Sequence, residues 1–95
     1  MAAGQVIGTV QSVATGAFLD LRPAAGIEWV VQNIHHAAGA EVYHITGSVS
    51  VRFMSDTGEG SWQGLVFRCS NAVYYRVKNT DAATKVISYD GLQTK

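Results

Sequence analysis

Three histidines, one cysteine and a pair of carboxylates beside a glycine-rich turn are the groups in this chain whose types could do chemistry. A metal site on a small β-barrel of the cupin kind needs two histidines separated by one residue, so that both leave one face of a strand, and then a glutamate. His35 and His36 are adjacent and therefore point to opposite faces, although either could still meet His44 across a hairpin. Cys69 alternates with Leu65 and Phe67 on the apolar side of its segment, where a thiol behaves as a small hydrophobe. The stretch TGEGSWQG (57–64) lacks the lysine and following helix of a phosphate loop, and no Gly-x-Ser-x-Gly elbow occurs. Asp56 and Glu59 flank a solvated turn, which is a poor setting for acid–base work and holds too few acidic ligands to favour calcium. The expectation is a protein that is not an enzyme, with no catalytic residues, no metal and no cofactor.

The elements that position these groups alternate with period two, and period 3.6 is nearly absent. Eight strands are predicted: 5–13, 17–21, 27–36, 41–46, 48–55, 62–70, 73–79 and 84–90. In EWVVQNIHH, Trp29, Val31, Asn33 and His35 share one face, with Val30, Gln32, Ile34 and His36 opposite. In SVSVRF, Val49, Val51 and Phe53 are expected inward. Over 62–70, Leu65, Phe67 and Cys69 oppose Trp62, Val66 and Arg68; over 73–79, Val73, Tyr75 and Val77 oppose Tyr74, Arg76 and Lys78. Turn-forming segments separate the runs: RPAAG, HAAGAE, ITGS, SDTGEG, SNA and NTDAAT. Short strands at this spacing without helices predict an all-β fold: a small antiparallel β-sandwich, jelly-roll-like, forming a single domain over 1–95.

Composition narrows the partners. Seven cationic and seven acidic side chains cancel. Nucleic acid and anionic membrane are both bound chiefly through excess positive charge, so neither is expected as a partner. Only 15% of residues are charged while 47% are hydrophobic, a surface that does little to repel other protein. The opening MAAGQVIGTV lacks the basic and long apolar regions of a signal peptide, and no apolar run approaches a membrane span. A single cysteine excludes an internal disulfide and fits folding in a reducing cytosol. A chain of 95 residues buries only roughly 60–65% of its unfolded surface, which leaves oligomerisation as a source of stability.

Trp62, Tyr43 and Tyr74 fall opposite the apolar residues of their strands, where a ring can stack on a sugar, anchor a protein contact or fill the second sheet of a sandwich. Two segments, FLDLRPAAGIEWVVQNIHH (18–36) and YYRVKNTDAATKVISYDGLQTK (74–95), resemble small β-sandwich virion proteins of tailed bacteriophages. The resemblance implies a head decoration or cement protein on the capsid surface, made in the host cytoplasm, with the major capsid protein as partner and no catalytic residues. It further implies a homo-oligomer, a trimer first on a lattice with local threefold axes and a dimer next. The alternative is a carbohydrate- or host-surface-binding β-module of a phage tail. Interface residues are expected at Trp62, Tyr74, Arg76 and Lys78, since Tyr and Arg contribute strongly at contacts. The ending LQTK is expected either to extend to a neighbour or to fray.

Overall fold

In a computed structural model, residues 4–95 are described; Met1–Ala3, which open the segment compared above with a signal peptide, lie outside the described residues. The strands are β1 (Val6–Val13), β2 (Phe18–Leu21), β3 (Trp29–His36), β4 (Ala40–Thr46), β5 (Val49–Asp56), β6 (Gly60–Trp62), β7 (Phe67–Cys69), β8 (Val73–Asn79) and β9 (Lys85–Gln93). All pairings are antiparallel. One sheet runs β1-β9-β3, with β6 and β7 lying end to end along the far edge of β3; the other runs β2-β8-β4-β5. If β6 and β7 count as one interrupted strand, the chain crosses between sheets at every connection except the β4–β5 hairpin, the order of a jelly roll, two Greek keys folded into a sandwich. The fold is thus the expected all-β sandwich. Between the sheets lie Leu19, Leu21, Val31, Ile34, Val42, Val77 and Ile87, all nearly or fully buried.

The expected strand 62–70 is two strands, and the interruption corrects the predicted faces. Trp62 is opposite Ile34 and packs against the core; Phe67 and Cys69 are opposite Val31 and Trp29 and also point inward. Residues 62 and 67 are an odd number apart, so a continuous strand could not bury both. The segment 63–66 absorbs the misfit, with Gly64 at φ 68° and the Leu65 N–H donating to the Gln32 carbonyl at 2.8 Å. Across from it, β3 slips register against β9 between Val31 and Asn33. This bulge reverses the phase of β3: Trp29 and Val31 face the core, but so do Ile34 and His36, while Asn33 and His35 face outward. The even alternation predicted for EWVVQNIHH therefore holds only in its first half.

Two further expectations change. Val49, Val51 and Phe53 are on the core side of β5, where the Phe53 ring lies 5.6 Å from Phe67 and 5.8 Å from Tyr75. Yet they are 72%, 57% and 43% exposed, because β5 overhangs the opposing sheet. At the other end of the chain, Gly91 does not close the last strand. β9 continues to Gln93, which is buried, and the backbone N–H groups of Thr94 and Lys95 donate to the Glu28 carbonyl, so Leu92 and Gln93 belong to the sheet and the last two residues are tied beside it.

Gly91 lies beside the bulge, where β3 and β9 approach closely. A Cβ there would collide with the Val30 carbonyl and lie 2.8 Å from the Val31 Cα. Backbone atoms cannot yield as a side-chain tip can. Gly91→Ala is expected to lower stability by about 2–3 kcal/mol, read as a reduced urea midpoint, whereas Gly58→Ala, in open space, leaves it nearly unchanged.

Candidate protein-interaction face

The outer surface of the four-stranded sheet gathers four of the chain's seven cationic side chains and several of its aromatic rings. Its registers set three rows across the strands β2, β8, β4 and β5: Phe18–Lys78–Glu41–Ser55, then Asp20–Arg76–Tyr43–Arg52, then Tyr74–Ile45–Ser50. Leu19, Leu21, Val77 and Val42, alternating with these residues, fill the core, so the outward direction follows from burial of their neighbours. Arg22, just past β2, lies over the Tyr74 ring at 4.5 Å and donates to the Asn71 carbonyl at 2.8 Å.

Side chains on this face are tied to one another. Arg76 grips Asp20 through two bonds of 2.6 and 3.1 Å, the fork geometry that makes arginine–carboxylate pairs directional. Its guanidinium also covers Phe18 at 4.6 Å, with Lys78 at 6.0 Å and the Tyr43 ring edge-on at 6.2 Å. Glu41 accepts from the Tyr43 hydroxyl and from Arg52, each at 2.8 Å. The Tyr43 hydroxyl bond is the main cause holding the Glu41 carboxyl below its usual range, with Arg52 and Lys78 adding to it against desolvation. Four cations (Arg22, Arg52, Arg76, Lys78) stand on this face against two carboxylates (Asp20, Glu41), on a chain with no net charge.

The residues expected at an interface divide between two places. Arg76 and Lys78 are on this face. Tyr74 is there too, but only 7% exposed beneath Arg22, so it supports the face more than it presents itself. Trp62 belongs to the other sheet and turns inward, its ring 4.6 Å from His36. Tyr43, one of the aromatics read as outward from sequence, is on the face as expected; Phe18, Asp20, Glu41 and Arg52 complete it and are not singled out by the sequence pattern. The alternation of Phe18 and Asp20 with Leu19 and Leu21 was the available signal.

The groups considered for chemistry are scattered. His35 is on the outer face of the five-stranded sheet, 3.7 Å from Asp90, which also accepts from Asn33 at 2.7 Å. His36 is buried and donates from Nδ1 to the Ala38 carbonyl at 2.7 Å; its Nε2 is 3.4 Å from Asp56, within ion-pair reach but outside hydrogen-bond geometry. His44 stacks on Tyr75 at 4.6 Å. No group of three or more metal-ligating side chains occurs among the described residues. Cys69 is buried, and burial pushes its thiol up to about 12. Compared with known proteins, the chain matches no family model and no curated protein.

Two pH dependences follow. Cys69 has a raised folded value, so its contribution to stability is full below the unfolded thiol value of about 8.5 and is lost as pH rises toward about 12. Tyr75 and Tyr89, also raised by burial, act in the same direction at higher pH. Urea midpoints are expected to fall above about pH 8.5, and Cys69→Ala flattens the first part of that slope. A thiol reagent labels the native protein only as fast as it opens.

Glu41 has the opposite sign. Its lowered folded value gives stability that is present above about pH 4.3 and lost as pH falls through the folded value. Glu41→Gln is therefore expected to lose less stability than the native chain on acidification below that point.

Proposed function

We propose that the protein is a virion structural component of a tailed bacteriophage, seated on the capsid surface by the outer face of its four-stranded sheet. The observation that carries this reading is the pre-arranged cationic and aromatic face built around Phe18, which is 46% exposed and bracketed by Arg76, Lys78 and Tyr43. Aromatic and arginine side chains dominate protein contacts, and rings and forks already held in place lose little entropy on docking. An excess of cations fits an acidic patch on the partner and adds steering to the encounter. The segments that resemble phage virion proteins, 18–36 and 74–95, also supply β2 and β8, the neighbouring strands that carry Phe18, Asp20, Tyr74, Arg76 and Lys78. The jelly roll is frequent in capsid proteins, though lectins and cupins share it, so the fold alone does not choose among them.

Sugar stacking calls for a bare ring face. Here Arg76 covers Phe18 and Arg22 covers Tyr74, which favours protein over glycan as the partner of this face.

Purified protein mixed with capsids lacking it is expected to bind saturably, more weakly as salt is raised. Phe18→Ala and Lys78→Glu should each reduce occupancy at least about tenfold while circular dichroism stays native. Absence of saturable binding to particles, or binding that both variants leave intact, overturns the reading. Glycan binding lost with Phe18→Ala would replace it with the tail-module alternative.

A further inference from the structure

A sandwich that is not closed into a barrel has edges, and the long ones are exposed templates for pairing. In this fold β2 spans four residues and runs into Pro23, while β6 and β7 span three each. β1 is long, but of its core-side positions Ile7 and Val13 are already buried in the core and Thr9 and Gln11 are polar. β5 differs from all of these. It has eight residues, one free side, and three apolar side chains on a core-side surface that the opposing sheet covers only at Phe53, and there only in part.

Its backbone phase follows from the hairpin it shares with β4. Thr46 pairs with Val49 across a two-residue turn whose first position, Gly47, has φ 60°. In such a turn the closing pair is hydrogen-bonded, and bonded and non-bonded pairs alternate from there as far as Tyr43–Arg52, beyond which Phe53 is the extra residue of a bulge. Val49 and Val51 thus spend their backbone groups on β4, whereas Ser50 and Arg52 point their N–H and C=O groups out of the free edge.

We infer that two copies of the protein pair antiparallel through β5, about a twofold axis at Val51, joining their four-stranded sheets into one of eight strands. In that register Ser50 of each copy meets Arg52 of the other, and all four outward N–H groups find carbonyls. Val51 faces its counterpart at a non-bonded position, and each Val49 faces the other copy's Phe53, so the overhanging side chains cover one another. Charge agrees with this register: each Arg52 opposes a serine while its guanidinium remains with Glu41 of its own chain. An axis at Arg52 would set two guanidiniums face to face, and an axis at Ser50 would leave Phe53 opposite Gly47. An isologous contact of this kind closes after two copies and does not propagate. The inference stands on β5 alone and does not depend on the capsid reading.

Sedimentation equilibrium of the native chain is expected to give the mass of two copies in the micromolar range. Val51→Lys places two like charges across the axis, and Ser50→Pro removes an outward N–H that the monomer does not use. Each should weaken dimerisation at least about tenfold with circular dichroism unchanged. Val51→Cys tests the register directly. Facing Cα atoms at a non-bonded antiparallel pair are about 4.5 Å apart, within disulfide reach, so mild oxidation yields a covalent dimer. Val49→Cys, displaced from the axis, does not cross-link to itself. A monomeric or trimeric native chain, association untouched by both edge variants, or cross-linking through Val10→Cys in place of Val51→Cys each overturns the inference.

Discussion

The hydrogen bond from the Leu65 N–H to the Gln32 carbonyl joins two irregularities that would each be ruinous alone. On β3, the slip at Gln32 lets Val31 and Ile34 both reach the core although they are three residues apart. On the neighbouring edge, the excursion at 63–66 lets Trp62 and Phe67 do the same from five residues apart. A one-residue change of phase turns every following side chain over, so a bulge in β3 without a matching break beside it would set core residues against solvent. Gly91 completes the arrangement from the β9 side, where only a missing side chain permits the approach to Val30. The burial of His36 under Trp62 and the outward placement of His35 both descend from this matched defect.

The two sheets divide their labour accordingly. The five-stranded sheet spends its irregularity on filling the interior. The four-stranded sheet keeps regular alternation through β2 and β8, and regularity is what allows Phe18, Lys78, Asp20 and Arg76 to stand in rows. Half-exposed ion pairs add little to stability, so Arg76–Asp20 and Arg52–Glu41 matter more for fixing geometry than for holding the fold together. A face whose side chains already have partners presents a defined shape to whatever meets it.

Much of this was legible in the sequence, and the failures have particular causes. Alternation in β8 places Tyr74, Arg76 and Lys78 together correctly because that strand has no bulge. It misplaces Trp62 and the second half of β3 because phase cannot be carried across a break that a single strand does not announce. For Val49, Val51 and Phe53 alternation identifies the side of the sheet but says nothing of whether another sheet extends that far. Phe18 meets Lys78 sixty residues away in the chain, a proximity that no local pattern encodes. Tyr-Asp-Gly reads as a strand end because glycine usually weakens strands; here close contact with β3 requires it.

The position of β9 has a consequence for how the molecule comes into being. It is the last strand in chain order, yet it is the central rail of its sheet, with β1 on one side and β3 on the other, pairing Val6 with Leu92. While the polypeptide is being synthesised, β1 and β3 have no common partner until this strand has left the ribosome. The four-stranded sheet can pair without β9, but the five-stranded sheet must wait for it, and its completion is governed by the slow closure of very long loops. Sparse charge makes that interval hazardous. A protein built this way is exposed to misassembly during its synthesis more than during its working life, and its yield in a cell should respond to translation speed and to chaperones more than to changes on its finished surface.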